Sequence, residues 1–482
     1  MSSIEAVDVL SAPGIADTLR ATFDQQRAAF LQEGPPTLEQ RRIDLGNLRK
    51  AIRPNVDRIA AAISADFGHR SRHETALADV FPVLAAIRHA TRNLARWMRP
   101  RRVAVGLEFM PARARVICQP LGVIGVISPW NYPFQLAMMP VVAAIAAGNR
   151  IMLKPSELTP RTSDLLAELL SAIFPEGKVA ITVGGAAVGA AFARLPFDHL
   201  FYTGSTAVGR LIMQAAAENL TPVTLELGGK SPCIVGEDAD LRSAVESIMF
   251  GKFHNAGQIC VAPDYVLLPE ARREDFIEMA RSSVEKLYPT LETNPDYTSI
   301  VNERHYQRIA SYIEEAKRIG VRVVEINPAH EPLGPTTRKL PPTLVVDPPE
   351  AIAMMREEIF GPVLPIKTYR SLEEALAYIN HRPRPLALYY FGIDKATRDE
   401  VLRRTVSGGA SINETLLHVA VDNLPFGGVG QSGMGAYHGE FGFQTFSHRK
   451  AVFLQSKVNS AGMLRPPFGR LTDLMIKFLL SR

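Results

Sequence analysis

Residues 122–157, GVIGVISPWNYPFQLAMMPVVAAIAAGNRIMLKPSE, decide the fold. Two short runs rich in Val, Ile and Leu flank an Ala-rich helical stretch, and neither run alternates apolar with polar residues. Strands that are apolar on both faces belong to parallel sheets covered by helices on both sides. The alternation continues downstream through the helical SDLLAELLSAIF, the strand-like VAITVGG and HLFYTG, the helical VGRLIMQAAAENL and the strand-like PVTLEL. A second alternating set begins near Ser231 (SPCIVG) and runs to about Asn413. A Pro-rich connector between Pro328 and Pro349 interrupts it and reads as a surface loop before the strand TLVV. Upstream, Ile15 to Trp97 is helical in period, with Leu45, Leu48, Ile52, Val56, Ile59 and Ile63 on one stripe. Between preface and sheet, VAVGLEF and ARARVIC, split by Met110-Pro111, read as an exposed hairpin over 101–118.

A chain of 482 residues, 46% hydrophobic and 21% charged, is neither a disordered polyelectrolyte nor a membrane bundle. Lys and Arg number 54 against 49 acidic residues, without a block of like charge, so no nucleic-acid partner is expected. The longest apolar run, Ala137 to Gly148, falls short of the roughly 20 residues of a membrane-spanning helix. The opening segment carries Glu5, Asp8 and Asp17 rather than a cationic start to an apolar core, which points away from a secretory leader and toward a cytoplasmic address. Three scattered cysteines, Cys118, Cys233 and Cys260, make neither a disulfide framework nor a zinc ribbon. The tail ends in a helical stripe of Leu471, Leu474, Met475, Phe478 and Leu479. It suits docking on this or a partner subunit better than lying on a membrane surface.

Neither a P-loop nor a G-x-G-x-x-G fingerprint is expected anywhere in this chain, the first α/β unit included. That unit instead carries Gly204-Ser205-Thr206-Ala207-Val208-Gly209 between a strand and a helix, where free N–H groups face an incoming phosphate; a plain capped turn has the same pattern. Lys154 and Glu157 end another strand, where open α/β sheets place ligands, or else form a solvated turn. Cys260 stands between a helical run and a strand, whereas Cys118 and Cys233 lie inside β-branched runs as packing thiols. Glu226 ends an apolar strand before Gly228-Gly229; such company raises a carboxyl pKa toward general-base work, and an ion-paired strand end is the alternative. Asn131, after GVIGVI, offers an amide to a developing oxyanion or simply makes a turn. His69 and His73 share an i, i+4 spacing without a third ligand, so no metal site is expected and an exposed helix face accounts for them.

Taken in order, PLGVIGVISPWNYPF, LKPSE, FYTGSTAVG, TLELGGKSP, GQICVAPDY, EEIFGPVLP and LPFGGVGQSGMG resemble the NAD(P)-dependent aldehyde dehydrogenase superfamily over nearly the whole chain. The wording is most similar to its class-three branch and, within that, to the bacterial coniferyl aldehyde dehydrogenases. The resemblance implies an α/β fold: a Rossmann-like parallel-sheet cofactor domain (1–100 and 119–226), a second α/β catalytic domain (227–425), and a small β oligomerisation arm with the tail (101–118 and 426–482). The arm would pair with a C-terminal strand near 451–457.

The resemblance further implies Cys260 as nucleophile, Glu226 as general base, and Asn131 with the Cys260 N–H as oxyanion donors. Lys154 and Glu157 would hold the adenosine ribose, and Gly204, Ser205, Thr206, Val208 and Gly209 the pyrophosphate side. Glu358 would contact the nicotinamide ribose with Phe360 close to the ring, and Leu227 would be a further cofactor-binding residue. The expected reaction is oxidation of a small-molecule aldehyde to its acid, coniferyl aldehyde to ferulate in this branch, by a soluble homodimer using NAD, with NADP second because Glu157 repels a 2′-phosphate. A medium- or long-chain aliphatic aldehyde is the alternative substrate, and a non-catalytic protein on the same scaffold the alternative class. Tyr132, Phe134 and Leu416 to Val421 are candidates for the substrate tunnel.

Overall fold

The computed structural model describes residues 14–459 and 464–481. Residues 1–13, on which most of the leader reading rests, lie outside them. Helix Ile15–Glu33 packs Leu19 and Phe23 on one face of the first sheet, whereas Leu38–Ile52, Val56–Phe67 and Phe81–Trp97 pack over the helices Gln135–Ala147 and Pro160–Ser171 that cover its other face. A one-turn helix, Arg72–Glu74, and a π-helical stretch, Thr75–Val80, interrupt them. Leu45, Leu48, Ile59 and Ile63 are fully buried, so the apolar stripe faces the core.

In chain order the strands are β1 (Arg101–Val103), β2 (Arg113–Pro120), β3 (Val123–Ile127), β4 (Arg150–Lys154), β5 (Val179–Ile181), β6 (His199–Gly204), β7 (Val223–Leu227) and β8 (Pro232–Val235). They continue as β9 (Tyr265–Pro269), β10 (Arg322–Glu325), β11 (Thr343–Val346), β12 (Val363–Tyr369), β13 (Ala387–Phe391), β14 (Gly409–Ile412), β15 (Gly433–Met434) and β16 (Ser447–Leu454). Three sheets result, with orders β15-β7-β6-β3-β4-β5, β10-β11-β12-β9-β8-β13-β14 and β1-β2-β16. In the two large sheets only β15–β7 and β10–β11 pair antiparallel. Every residue of β3 and β4 is buried, as strands covered on both faces require.

The small sheet differs in detail from the sequence pattern. Of VAVGLEF only Val103 is strand; Gly106 opens a turn, its carbonyl accepting from Phe109 N–H, and Leu107–Phe109 is 3-10 helix. The third strand starts at Ser447, ahead of the expected 451, because β2 is long enough to pair from Pro120 back to Arg113. β15, counted with the arm by sequence, instead adds an edge strand beside Glu226, with Gly433 opposite that residue. In the tail, the helix Arg470–Leu480 leaves Leu471 and Leu474 of its apolar stripe exposed.

Gly125 sits mid-strand in β3 because a side chain there would strike the Phe197 ring and Leu200. Gly125→Ala overpacks this face, at a cost of about 1–3 kcal/mol. The thermal midpoint should fall by about 1–3 °C for a chain of this size; an unchanged midpoint by differential scanning fluorimetry would show that the sheet yields freely there.

Candidate active site

The strand order puts β4 and β6 on opposite sides of β3, so their crossovers depart in opposite directions and leave a crevice beyond the carboxyl ends. Asn131 follows β3, Lys154 ends β4, Ser205 follows β6 and Glu226 lies in β7. The chain then crosses through 228–231 directly into the amino end of β8. The carboxyl edge of the first sheet therefore faces the amino edge of the second, where Cys260 precedes β9 and Glu358 and Phe360 precede β12.

Between these edges lies a cavity of about 800 Å³, counting its open mouth. Asn131, Gly204, Ser205, Glu226, Leu227, Cys260, Glu358 and Phe360 all line it. Lys154, Glu157, Thr206, Val208 and Gly209 lie outside that lining. Lys154 is buried, with Nζ 3.1 Å from Glu157 Oε2, while Val208 is exposed in the first turn of the helix Thr206–Ala217, which Ser205 caps. Gly209 turns inward: a side chain there would strike Leu227, so it is a packing residue that lets the helix approach β7.

The three residues expected to do chemistry differ in their surroundings. Glu226 is buried, and neither of its carboxylate oxygens has a hydrogen-bond partner among the described residues. Desolvation pushes its pKa well above the ordinary carboxylate value and so favours the protonated acid. Cys260 is half-buried, and its thiol is pushed up to about 12, by burial first and then by the Glu358 and Glu226 carboxylates. Burial, followed by Asp264, raises Glu358 to about 8. Asn131 is fixed by Nδ2 donating to Gln258 O at 3.2 Å, which leaves its second amide hydrogen available to an oxyanion.

Local backbone builds the nucleophile's approach. Asn255, Ala256 and Gly257 take successive left-handed conformations (φ 50°, 50° and 76°), and a side chain on Gly257 would strike the Gly361 carbonyl. This close contact ties the Cys260 loop to the Phe360 loop. Phe360 itself is left-handed (φ 50°), a strained state for a bulky residue, and its ring meets Trp130 edge-on at 5.4 Å.

Sequence reasoning missed several neighbours. His305 packs on Trp130 at 5.1 Å and lines the cavity; burial, then Arg308 and Arg304, lowers it to about 4, so it is a neutral imidazole. Its isolated position in a helical run gave no signal. Phe426 and Tyr437 close the far wall. Lys230 pairs with Asp264, which accepts from Ile359 N–H at 3.0 Å and so holds the Glu358 loop. The Lys lies within the quoted TLELGGKSP, but its partner is not legible there.

Two sequence readings need correction. His69 and His73 share no helix face, because His69 lies in a loop before Arg72–Glu74. A G-x-G-x-x-G string does occur at Gly428–Gly433, but in a loop and 3-10 turn with no strand before it, which is not a nucleotide-binding context. No group of three or more metal-binding side chains occurs among the described residues.

The cavity suits a dinucleotide's reactive end. Trp130, Leu227 and Phe360 give apolar walls for a flat ring, a capped helix N-terminus faces the crevice, and Gly228 leaves the space that the Glu358 carboxylate occupies.

Comparison with known proteins agrees with this geometry. A model of the aldehyde dehydrogenase family matches residues 14–452. The chain belongs to that family, whose members oxidise aldehydes to acids. It is 50% identical to the coniferyl aldehyde dehydrogenase of a Pseudomonas species, covering 98% of both chains. It is 40% identical to the dimeric NADP-preferring aldehyde dehydrogenase of Rattus norvegicus, over 92% of this chain and 95% of that one. A solved substrate-bound state of Staphylococcus aureus AldH superposes with a TM-score of 0.90 at 38% identity, covering 95% of this chain and 99% of that one.

The raised thiol pKa makes a measurable statement. Thiolate forms only as pH approaches the raised pKa, so alkylation of Cys260 by iodoacetamide in the cofactor-free protein should still be rising at pH 10. A plateau by pH 8.5, with modification assigned by peptide mass, would contradict the burial argument.

Proposed function

We propose that this aldehyde dehydrogenase oxidises coniferyl aldehyde and related hydroxycinnamyl aldehydes to their acids with NAD, NADP serving second. The observation that carries the catalytic part is the convergence of Cys260, Glu226 and Asn131 on one cavity. The substrate class is supported by 50% identity to a coniferyl aldehyde dehydrogenase over nearly the full length. The exposed end of Glu157 beside Lys154 disfavours a 2′-phosphate and supports NAD, while the NADP-preferring relative supports some tolerance. Glu358 would hold the nicotinamide ribose and Lys154 with Glu157 the adenosine ribose. Ser205, Thr206 and Val208, at the helix start, would meet the pyrophosphate.

The chemistry follows from the side chains. Once the Cys260 thiol has lost its proton to solvent, the thiolate Sγ adds to the aldehyde carbon, and Asn131 Nδ2 with the Cys260 N–H holds the resulting O⁻; one such donor is worth about 10²–10³ in rate. Bound oxidised nicotinamide supplies the two-electron acceptor for the hydride lost when the hemithioacetal becomes a thioester. Glu226, in its carboxylate form, takes a proton from water, which attacks the thioester carbon and releases the acid with Cys260 restored. Because burial raises the Glu226 pKa, the carboxylate fraction that drives this last step grows as pH rises.

The domain division at 119–226 and 227–425 is supported by the two separate large sheets, and the arm by the three-stranded sheet. A homodimer is supported by exposed Phe453 and Leu454 on the edge strand β16, by exposed Leu471 and Leu474 on the tail helix and by the dimeric relative. No helix among the described residues is long and apolar enough to cross a membrane. A cytoplasmic enzyme is our reading.

Three outcomes test the proposal. First, kcat/KM for coniferyl aldehyde should exceed that for octanal; the reverse order would move the substrate to aliphatic aldehydes. Second, Cys260→Ala should abolish aldehyde-dependent NADH formation. Third, Glu226→Gln should keep a stoichiometric NADH burst, lose at least about 10²-fold in steady-state turnover, and lose the rise of kcat with pH that the native carboxyl gives. Normal turnover in Glu226→Gln would refute the base assignment.

A further inference from the structure

Behind the cavity lies a buried polar cluster that the mechanism above does not use. Glu74, from the one-turn helix Arg72–Glu74, is buried, and its two carboxylate oxygens accept from the backbone N–H of Asn255 at 3.1 and 3.2 Å. The same carboxylate pairs with His254 Nδ1 at 3.1 Å and accepts from Thr298 Oγ1 at 2.9 Å. Asn255 is the first residue of the left-handed turn that leads to Cys260, and its own side chain is fully buried. From there Asn255 Nδ2 donates both to the Asn131 carbonyl at 3.1 Å and to the Gln258 carbonyl at 3.2 Å. The Asn131 amide donates to that same Gln258 carbonyl. Arg70, paired with Asp79 at 3.0 Å in full burial, holds the Asn131 carbonyl from the other side at 2.8 Å.

We propose that Glu74 is a positioning residue for aldehyde oxidation: it fastens the strained turn before Cys260 and, through Asn255, fixes the oxyanion donor Asn131 relative to the nucleophile. The inference rests on the catalytic reading of Cys260 and Asn131. The physical reason is strain. A left-handed Asn–Ala pair opposes the backbone's preference by about 1–2 kcal/mol per residue and persists only where its surroundings over-determine it. A buried carboxylate gripping the turn's N–H supplies that constraint, since charge-assisted bonds are about twice as strong as neutral ones. Burial alone would raise the Glu74 pKa, yet His254, Arg70 and the Asn255 N–H outweigh it and hold the group below its ordinary value, so it is ionised at neutral pH. Because the turn and the Asn131 peptide share Asn255, a displacement at Glu74 moves nucleophile and oxyanion donor together.

The test compares three variants with the wild type. Glu74→Gln keeps the size but loses the charge, and should lower kcat and the NADH burst rate by about 10- to 100-fold while leaving the Kd for NAD within twofold. Asn255→Gly accepts the left-handed backbone and keeps the N–H bond to Glu74 but removes both Nδ2 bonds. It should fold normally and also lower kcat by about 10-fold or more, which keeps the test decisive should Glu74→Gln fail to fold. Thr298→Val removes a different bond to the same carboxylate and should leave kcat within about threefold. Wild-type kcat in Asn255→Gly, wild-type kcat in a folded Glu74→Gln, or an equal loss in all three would overturn the proposal. An inactive wild type would instead overturn the catalytic reading on which it rests.

Discussion

The short passage from Leu227 to Pro232 is the constraint on which the rest depends. By leaving the carboxyl end of β7 and entering the amino end of β8 without a helix between, the chain sets the ligand-binding edge of one parallel sheet against the opposite edge of another. Everything chemical follows from that opposition. Groups that end strands on one side, Asn131 and Glu226, meet groups that precede strands on the other, Cys260, Glu358 and Phe360. Neither sheet holds the full set, so the site exists only where both are folded and docked.

The cost of this arrangement is electrostatic. A carboxyl with no hydrogen-bond partner among the described residues, a thiol beside two acids and a neutral imidazole share one partly closed cavity, and burial biases each of them toward its uncharged form. A site of this kind is quiet until substrate and acceptor are both present, which protects the thiol from oxidation and alkylation. The buried pairs Glu74–His254, Arg70–Asp79 and Lys230–Asp264 lie behind that lining. Function is thus divided by depth: paired charges hold the loops, and unpaired neutral groups face the substrate.

Much of this was legible in the sequence, for identifiable reasons. β3, β4, β6 and β7 are continuous apolar runs, and only a parallel sheet buries such runs on both faces. Cys260, Glu226 and Asn131 stand at strand ends in distinctive wording, which made them candidates before any geometry. Other features were not legible. Arg70, Glu74 and Asp79 sit in a stretch whose charges look like a solvated helix face, and only the fold brings them behind Asn131. The shared helix face assigned to His69 and His73 failed because a loop at Gly68 ends the preceding helix between core contacts. β15 is too short for any pattern, and the close packing of Gly209 against Leu227 has no signature of its own in the sequence.

The central claim is that Cys260 carries the substrate as a thioester which Glu226 releases. It is tested most directly by incubating the Glu226→Gln protein with coniferyl aldehyde and NAD, quenching in acid and mapping the adduct by peptide mass spectrometry. The account predicts one feruloyl group on the peptide containing Cys260 and none on Cys118 or Cys233. An unmodified Cys260 peptide alongside NADH formed in stoichiometric amount, or acylation confined to another residue, would contradict it.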